Sequence, residues 1–473
     1  MTQALDLCAE RLRVDPELVR RLDRSGPRYT SYPTALEFHV GVGEEVYRQH
    51  LARAGEREPD QPLSLYVHIP FCEKLCTFCA CHFIVTPHRE ITRTYLGYLR
   101  REIELLAGHL PERRLAQMQW GGGTPTYLAP AELEELFSAV AERFAFEPGA
   151  EIAIEVDPRF TTRAHLETLA RLGFNRLSLG VQDFTPAVQQ AIGRGQTFEE
   201  TRATVATARE LGFGAGLNFD LIYGLPGQDE ASFEANLDRL LELAPDRVAM
   251  YSFAYVPWAR PHQKRLEAAA LPPREVKLAL YQLALDRLLD AGYQSIGMDH
   301  FAQPGDELAR ASRASRLHRN FMGYTGQEAA TLVALGVSGI GEAEGAYFQN
   351  ERKLPAYYAA LDAGRLPVER GYVLDPDDRL RRHVIHRLMC QFEVDKDEVE
   401  RRFGIDFDRT FQGPLAEIAA LPGTGHPPLV ETTGRKLKVT ETGRLFVRNL
   451  CMAFDRYLEA RQETGRPAYS RTV

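Results

Sequence analysis

The sequence predicts an α/β fold, a partial (β/α)6 barrel with an N-terminal helical segment and a mainly helical, winged-helix-like C-terminal domain. Three observations carry this prediction. Over about 190 residues, short apolar, β-rich runs alternate with amphipathic stretches, which implies parallel strands joined by right-handed crossovers. Polar and glycine-rich segments follow nearly every run, on the side where βα barrels build their sites; an open doubly wound sheet would use fewer of them. Beyond about residue 374 the rhythm changes to short helices around one hairpin. Periodicity alone leaves the open sheet as the alternative to the barrel.

Residues 1–60 read as mainly helical, interrupted by the turn-rich stretch 25–38. Strand candidates are 63–70, 116–120, 151–157, 175–180, 216–223 and 246–255. Helix candidates lie between them at 91–108, 130–144, 161–172, 198–211 and 229–243. Pro130 stands near a helix start, and Gly108, Gly173 and Gly212 stand near helix ends. A long amphipathic helix is predicted at 273–291. In the tail, helices at 376–391, 394–402 and 413–420 precede a hairpin at 429–440 and a last helix from 441 to 461. The predicted organisation is a covering segment at 1–60, the barrel at 61–300, an extension completing the site at 301–373, and the C-terminal domain at 374–473.

The chain has 473 residues, 57 basic and 65 acidic, for a net charge of -8. That balance argues against nucleic-acid binding, and the tail is not notably basic, so its winged-helix pattern reads as structural or lid-like. The N-terminus lacks the apolar core of a signal peptide, and no run approaches the ~20 apolar residues of a membrane span. A cytoplasmic protein with reduced thiols and no membrane partner is expected.

Seven cysteines are present. Cys8, Cys390 and Cys451 are scattered, whereas Cys72, Cys76, Cys79 and Cys81 crowd one loop after the first strand. In a reducing compartment such crowding points to metal or redox chemistry. Thiolates are the usual ligands of iron–sulfur clusters, and the spacing Cys72-x3-Cys76-x2-Cys79 lets one loop reach three corners of a cubane. The fourth iron would then be open. The alternative is a four-cysteine zinc site using Cys81, although zinc sites usually draw paired ligands from two separated knuckles.

That spacing, with Phe78 before the third cysteine, resembles the signature of the radical S-adenosylmethionine (SAM) superfamily. Further segments are similar to the oxygen-independent coproporphyrinogen III oxidase family in order and number. They are GPRYTSYPTALEF (26–38), LYVHIPFCEKLCTFCACHFIVT (65–86), WGGGTPTYL (120–128), IEVDPR (154–159), GFNRLSLGVQDF (173–184), DLIYGLPGQ (220–228), GMDHFA (297–302), LHRNF (317–321) and the tail 429–458. The resemblance covers nearly the whole chain. It implies a [4Fe-4S] cluster held by Cys72, Cys76 and Cys79, with SAM chelating the remaining iron and a second SAM beside it.

Several side chains make chemical sense in these roles. Gly121, Gly122 and Gly123 lack side chains, so backbone groups can approach the methionine end of SAM, joined there by the Thr124 hydroxyl; a tight strand-to-helix turn is the other reading. Glu155 and Asp220 lie in apolar strands, where a carboxylate is costly without a partner. SAM offers an ammonium and ribose hydroxyls. By resemblance Gln182 and Arg194 are SAM contacts too. A structural salt bridge or cap is the alternative for these four. Tyr66, Ala254 and Ile340 line the SAM pockets by the same resemblance, which places Tyr66, Glu155 and Cys81 at the reacting centre. Cys81, in C-x-C with Cys79, marks the oxidases. The related haem-chaperone branch lacks that cysteine and carries an acidic residue where Ala80 stands here. One departure is Met322, in N-F-M-G-Y-T, where the family often has Gln near the second SAM.

The resemblance implies a reaction. A 5′-deoxyadenosyl radical takes hydrogen from a propionate of coproporphyrinogen III, carbon dioxide leaves, and a vinyl group forms. Two such cycles give protoporphyrinogen IX. The expected partners are this substrate, a reduced flavodoxin- or ferredoxin-type donor and an electron acceptor; the expected state is a monomer. Arg28, Tyr29, His300 and Arg319 are candidates for the substrate carboxylates. A haem chaperone of the same superfamily, or another radical reaction on a tetrapyrrole, stands as the alternative.

Overall fold

The computed structural model describes residues 15–57, 60–110, 113–214, 216–327, 329, 331–459 and 469–472. Cys8, the start of the predicted N-terminal helix and the end of the predicted last helix lie outside the described residues. Among the described residues, the α-helices α1 (Pro16–Leu22) and α2 (Glu44–Arg57) precede the first strand.

Six parallel strands then follow side by side in chain order. They are β1 (Leu63–Ile69), β2 (Leu115–Gly122), β3 (Phe146–Val156), β4 (Arg176–Gln182), β5 (Leu217–Tyr223) and β6 (Arg247–Ser252). The connecting helices are α3 (Glu90–Ala107), α4 (Pro130–Ala141), α5 (Arg163–Leu172), α6 (Pro186–Ala191), α7 (Phe198–Glu210) and α8 (Glu230–Leu243), and α9 (Arg274–Asp290) follows β6. Local signals start and stop them. Pro130 opens α4, Thr197 and Glu200 cap α7 reciprocally, and Gly173 ends α5 with φ 89°.

Strand alternation sorts the side chains. Leu65, Val67 and Ile69 of β1 are buried with the helices in the main core, where each contributes about 1.5–3 kcal/mol. Tyr66 points the other way. It lines an inner cavity of about 340 Å³ with Gln119, Glu155, Ser178, Asp220 and Tyr251, so every one of the six strands contributes to one cavity. A flat sheet of six strands would spread these side chains over about 24 Å, since neighbours lie ~4.8 Å apart. The sheet therefore curls around the cavity, and the architecture is the partial barrel rather than the flat alternative.

Short strands extend the sheet at both edges. After β7 (Gln294–Gly297) comes β8 (His300–Ala302), which pairs antiparallel with β6 and carries β7 antiparallel on its outer edge. After α10 (Glu307–Arg313) and a hairpin of β9 (His318–Asn320) and β10 (Gly323–Thr325), β11 (Thr331–Leu335) returns parallel to β1. An antiparallel meander, β12 (Ile340–Ala343), β13 (Ala346–Asn350) and, after α11 (Leu354–Asp362), β14 (Val368–Val373), completes twelve strands. These strands are too short for periodicity to reveal.

The C-terminal part has α12 (Pro376–Gln391), α13 (Lys396–Phe403), α14 (Phe407–Thr410) and α15 (Gln412–Ala420) around a three-stranded sheet of β15 (Glu393–Asp395), β16 (Val430–Thr433) and β17 (Lys436–Val439). It shares a second core with Leu18, Tyr29 and Tyr32 near the N-terminus and with Ile296, Leu317 and Tyr324. Within the predicted single helix at 441–461, residues 441–452 form two short helices instead, α16 (Glu441–Leu445) and α17 (Val447–Met452), with Phe446 at φ -112° between them. The break turns Arg448 and Asn449 toward the N-terminal segment, where Arg448 donates to the carbonyls of Gly26 and Pro27 and Asn449 to that of Leu22. No helix among the described residues is long and apolar enough to cross a membrane.

Candidate active site

The cysteine loop leaves the end of β1 and is tied down on several sides. Phe71–Cys72 pairs with Ile84–Val85. The Thr124 hydroxyl lies 3.7 Å from Cys72 Sγ. Cys76 Sγ accepts from Arg159 and from Arg194, each at 3.5 Å. Both guanidiniums are almost fully buried and share Asp157, at 2.6 and 3.3 Å. His262 lies 2.7 Å from the Cys79 carbonyl oxygen, and Gln263 donates to Phe78 O at 2.9 Å. Cys72, Cys76 and Cys79 are half-buried, whereas Cys81 is exposed.

A loop cavity of about 160 Å³ brings together all four clustered cysteines, Gly122, Gly123, Thr124, Glu155, Gln182, Arg194 and Asp220. Gly122 adopts φ +120°, and a Cβ there would meet the His68 ring at 2.7 Å; a Cβ on Gly123 would meet Pro70 O at 2.6 Å. The glycines thus let the β2 loop lie against the β1 backbone. Gly121 packs on the Glu155 carboxylate.

Glu155 and Asp220 are walls common to the loop and inner cavities. Burial, reinforced by the charge of Asp220, pushes the Glu155 carboxyl up to about 7 against the hydrogen bond from Gly122 N at 3.2 Å. Burial likewise raises Asp220 to about 6, although Asn218 and Ser178 donate to it at 2.9 and 3.2 Å. Two interior carboxylates near neutrality favour a cationic, hydroxyl-bearing ligand. Gln182, with φ 70°, sits at a register shift between β4 and β5. Arg194 donates to Gly180 O at 2.5 Å.

Tyr66 lines the inner cavity and also an outer one of about 960 Å³, to which Ile340 and Phe321 contribute. Its hydroxyl lies 3.1 Å from His68 Nδ1. Burial, with the neighbouring His82, lowers His68 to about 4, so the ring is neutral; its Nε2 lies 3.0 Å from His82 O. Ala254, predicted at a strand end, follows β6 in a loop and accepts from Gln263 at 3.1 Å. It lines none of the three cavities; its neighbour Gln263 links it to the cysteine loop.

Of the cations expected to meet substrate carboxylates, Arg28, His300 and Arg319 line the inner cavity with Met322. Arg28 is committed to Asp299 at 2.6 Å. Tyr29 is buried instead, its hydroxyl on Asp455 at 3.0 Å, because the N-terminal segment packs there on the C-terminal core. The sequence reading does not single out His68, Asp157 or Arg159. Period-two spacing from Tyr66 signals His68; nothing local signals the pairing of Asp157 and Arg159 with Arg194.

The radical SAM superfamily matches residues 66–240, and the HemN C-terminal domain matches residues 374–446. The chain is thus an enzyme of the radical SAM class, whose cofactors are a [4Fe-4S] cluster and SAM. It is 43% identical to oxygen-independent coproporphyrinogen III oxidase of Pseudomonas aeruginosa, over 98% of this chain and 99% of that one. It is 44% identical to that of Escherichia coli, over 97% and 98%. The solved structure of coproporphyrinogen III oxidase from Escherichia coli, described as a radical SAM enzyme, matches with a TM-score of 0.89 at 43% identity, covering 95% of this chain and 100% of that one. The chain belongs to the oxygen-independent coproporphyrinogen III oxidase family.

Proposed function

We propose that the protein converts two propionates of coproporphyrinogen III to vinyl groups by oxygen-independent oxidative decarboxylation, yielding protoporphyrinogen IX. The observation that carries this reading is continuity between cavities. The loop and inner cavities share Glu155 and Asp220, and the inner and outer cavities share Tyr66 and Phe321. The outer cavity, at about 960 Å³, reaches the top of the ~300–1,000 Å³ range of small-molecule sites.

The residues present suit the cofactors. Three thiols on one loop suit a cubane, which takes one thiolate per iron at separate corners. A zinc site usually draws paired ligands from two separated knuckles, whereas all four clustered cysteines come from one loop. When bound, the reduced cluster and SAM supply a hydrogen-abstracting carbon radical. In this reading Cys72, Cys76 and Cys79 hold the iron, and Arg159 and Arg194 offset the negative charge of Cys76. Gly122, Gly123 and Thr124 present main-chain and hydroxyl groups to the methionine end of SAM. Glu155, Asp220, Gln182 and Arg194 take its polar groups; Ile340 offers apolar surface from the outer cavity, and Ala254 bears on the site through Gln263, which also holds the cysteine loop. Tyr66 stands between inner and outer cavities, with Cys81 exposed at the loop. A second SAM fits the reading in the inner cavity, where Met322 offers no side-chain donor.

Loss of carbon dioxide leaves one electron per propionate, so an acceptor is required along with a flavodoxin- or ferredoxin-type donor. The reading extends to a cytoplasmic monomer. The test is anaerobic reconstitution with dithionite, SAM and coproporphyrinogen III, counting 5′-deoxyadenosine and carbon dioxide by mass spectrometry. Two of each per protoporphyrinogen are expected. Deoxyadenosine without carbon dioxide would mean another substrate, and neither product from an assembled cluster would overturn the reading.

A further inference from the structure

The outer cavity carries charges that neither the cluster nor SAM uses. Its wall includes Arg260, Arg352, Lys353 and Arg370, against the carboxylates of Glu351 and Glu369. Four cations thus face two anions. Glu369 is committed to Arg352, which grips it with two bonds of 2.8 Å. Among the described residues, Arg370 donates only to a neutral partner, Gln349 Oε1 at 2.8 Å. Among the described residues, Arg260 and Lys353 enter no ion pair. Lys353 is also the residue from which α11 springs, so the positive end of that helix adds to the same wall.

These cations come from three separate places: the loop after β6, the start of α11, and β14. They converge on one cavity because the sheet extension brings Arg352, Lys353 and Arg370 to the loop that carries Arg260. Tyr66, His68 and Phe321 also line that cavity, and Tyr66 and Phe321 form its boundary with the interior. A large cavity with a charged rim and an aromatic inner face suits a flat, apolar ring system bearing several carboxylates.

We infer that Arg260, Lys353 and Arg370 bind the propionate carboxylates of the porphyrinogen that are not reacting, and so hold the reacting ring against Tyr66. This rests on the function proposed above. It moves the carboxylate contacts away from Arg28 and His300, which are held by Asp299 at 2.6 and 2.9 Å. Arg352, paired with Glu369, is a structural member of the wall.

The test uses the cluster-loaded protein and coproporphyrin III, the stable oxidised form of the substrate, with its uncharged tetramethyl ester as the comparison. Equilibrium dialysis gives Kd for both ligands with wild type, Arg260→Gln, Lys353→Gln, Arg370→Gln and the triple variant. Each substitution is expected to weaken the tetra-acid about three- to tenfold, with the ester unaffected. Arg370→Lys should recover part of the loss. Arg100→Gln, an exposed arginine of α3 outside the cavity walls, should change neither Kd. With coproporphyrinogen III, the triple variant should raise KM and release more deoxyadenosine than carbon dioxide, because a misplaced ring is not decarboxylated. The inference fails if the triple variant binds the tetra-acid as wild type does, or if acid and ester weaken equally. If wild type releases no carbon dioxide from coproporphyrinogen III, the function itself falls, and this assignment falls with it.

Discussion

Arg194 Nη1 lies 3.5 Å from Cys76 Sγ, so the second cysteine of the loop takes a hydrogen bond from a guanidinium that Asp157 holds in place. Arg159 repeats the arrangement on the same carboxylate. The loop is therefore braced by a buried charge network before any cofactor is considered.

Replacing Arg194 with Gln leaves Asp157 paired with Arg159 alone. A stability loss of about 2–4 kcal/mol is expected, together with reduced iron retention. Denaturant melts and iron analysis after gel filtration check both.

Gly123→Ala places a methyl 2.6 Å from Pro70 O, a backbone atom that cannot swing away. The β1 and β2 loops must separate, at a cost of about 1–3 kcal/mol. SAM affinity measured by equilibrium dialysis on cluster-loaded protein should fall at least tenfold, by about 1.4 kcal/mol or more.

Cys81→Ser should keep the iron and sulfide content of wild type while losing carbon dioxide release. Serine at Cys72, Cys76 or Cys79 should lose the iron. Parallel iron, sulfide and product assays distinguish the two classes; iron loss in Cys81→Ser would make Cys81 a ligand.

Met322 lines the inner cavity with a thioether, a weak acceptor without a donor. Met322→Gln adds a carboxamide there. The second SAM equivalent should then bind about three- to tenfold more tightly, one good hydrogen bond's worth, in isothermal titration. An unchanged second equivalent would remove Met322 from that site.

Glu102 is 2% exposed and accepts from Gly336 N, Tyr357 and Asn350 at 2.7, 2.7 and 2.6 Å. Burial nevertheless raises its carboxyl to about 7. Because the folded value is raised, the stabilising contribution is fully present below the unfolded value near 4.5 and is lost as pH rises through 7. Wild-type stability should decline by up to about 3 kcal/mol between pH 5 and pH 8 from this group. Glu102→Gln should flatten that decline in urea melts.

Much of the site was legible because its chemistry is local. Cys72, Cys76 and Cys79 share one loop, and Gly121–Thr124 share another. Glu155 and Asp220 each betray themselves as a charge inside an apolar strand. His68 was less visible, since its one local signal is the period-two spacing from Tyr66, and its second partner, the His82 carbonyl, comes from the loop. Asp157 escaped notice because its meaning lies in two arginines, one of them distant in sequence. Tyr29 was misread because its motif says nothing of Asp455, which it meets through the fold.

Sequence alone determined the alternation of strand and helix, the cysteine spacing and the family, because each is written in runs of neighbouring residues. Tertiary structure alone decided that the sheet curls, that α16 and α17 are separate, and that Arg260, Lys353 and Arg370 share one wall. The reason is physical. Periodicity and spacing reflect backbone geometry over a few residues, whereas a cavity is made by side chains that long-range packing brings together.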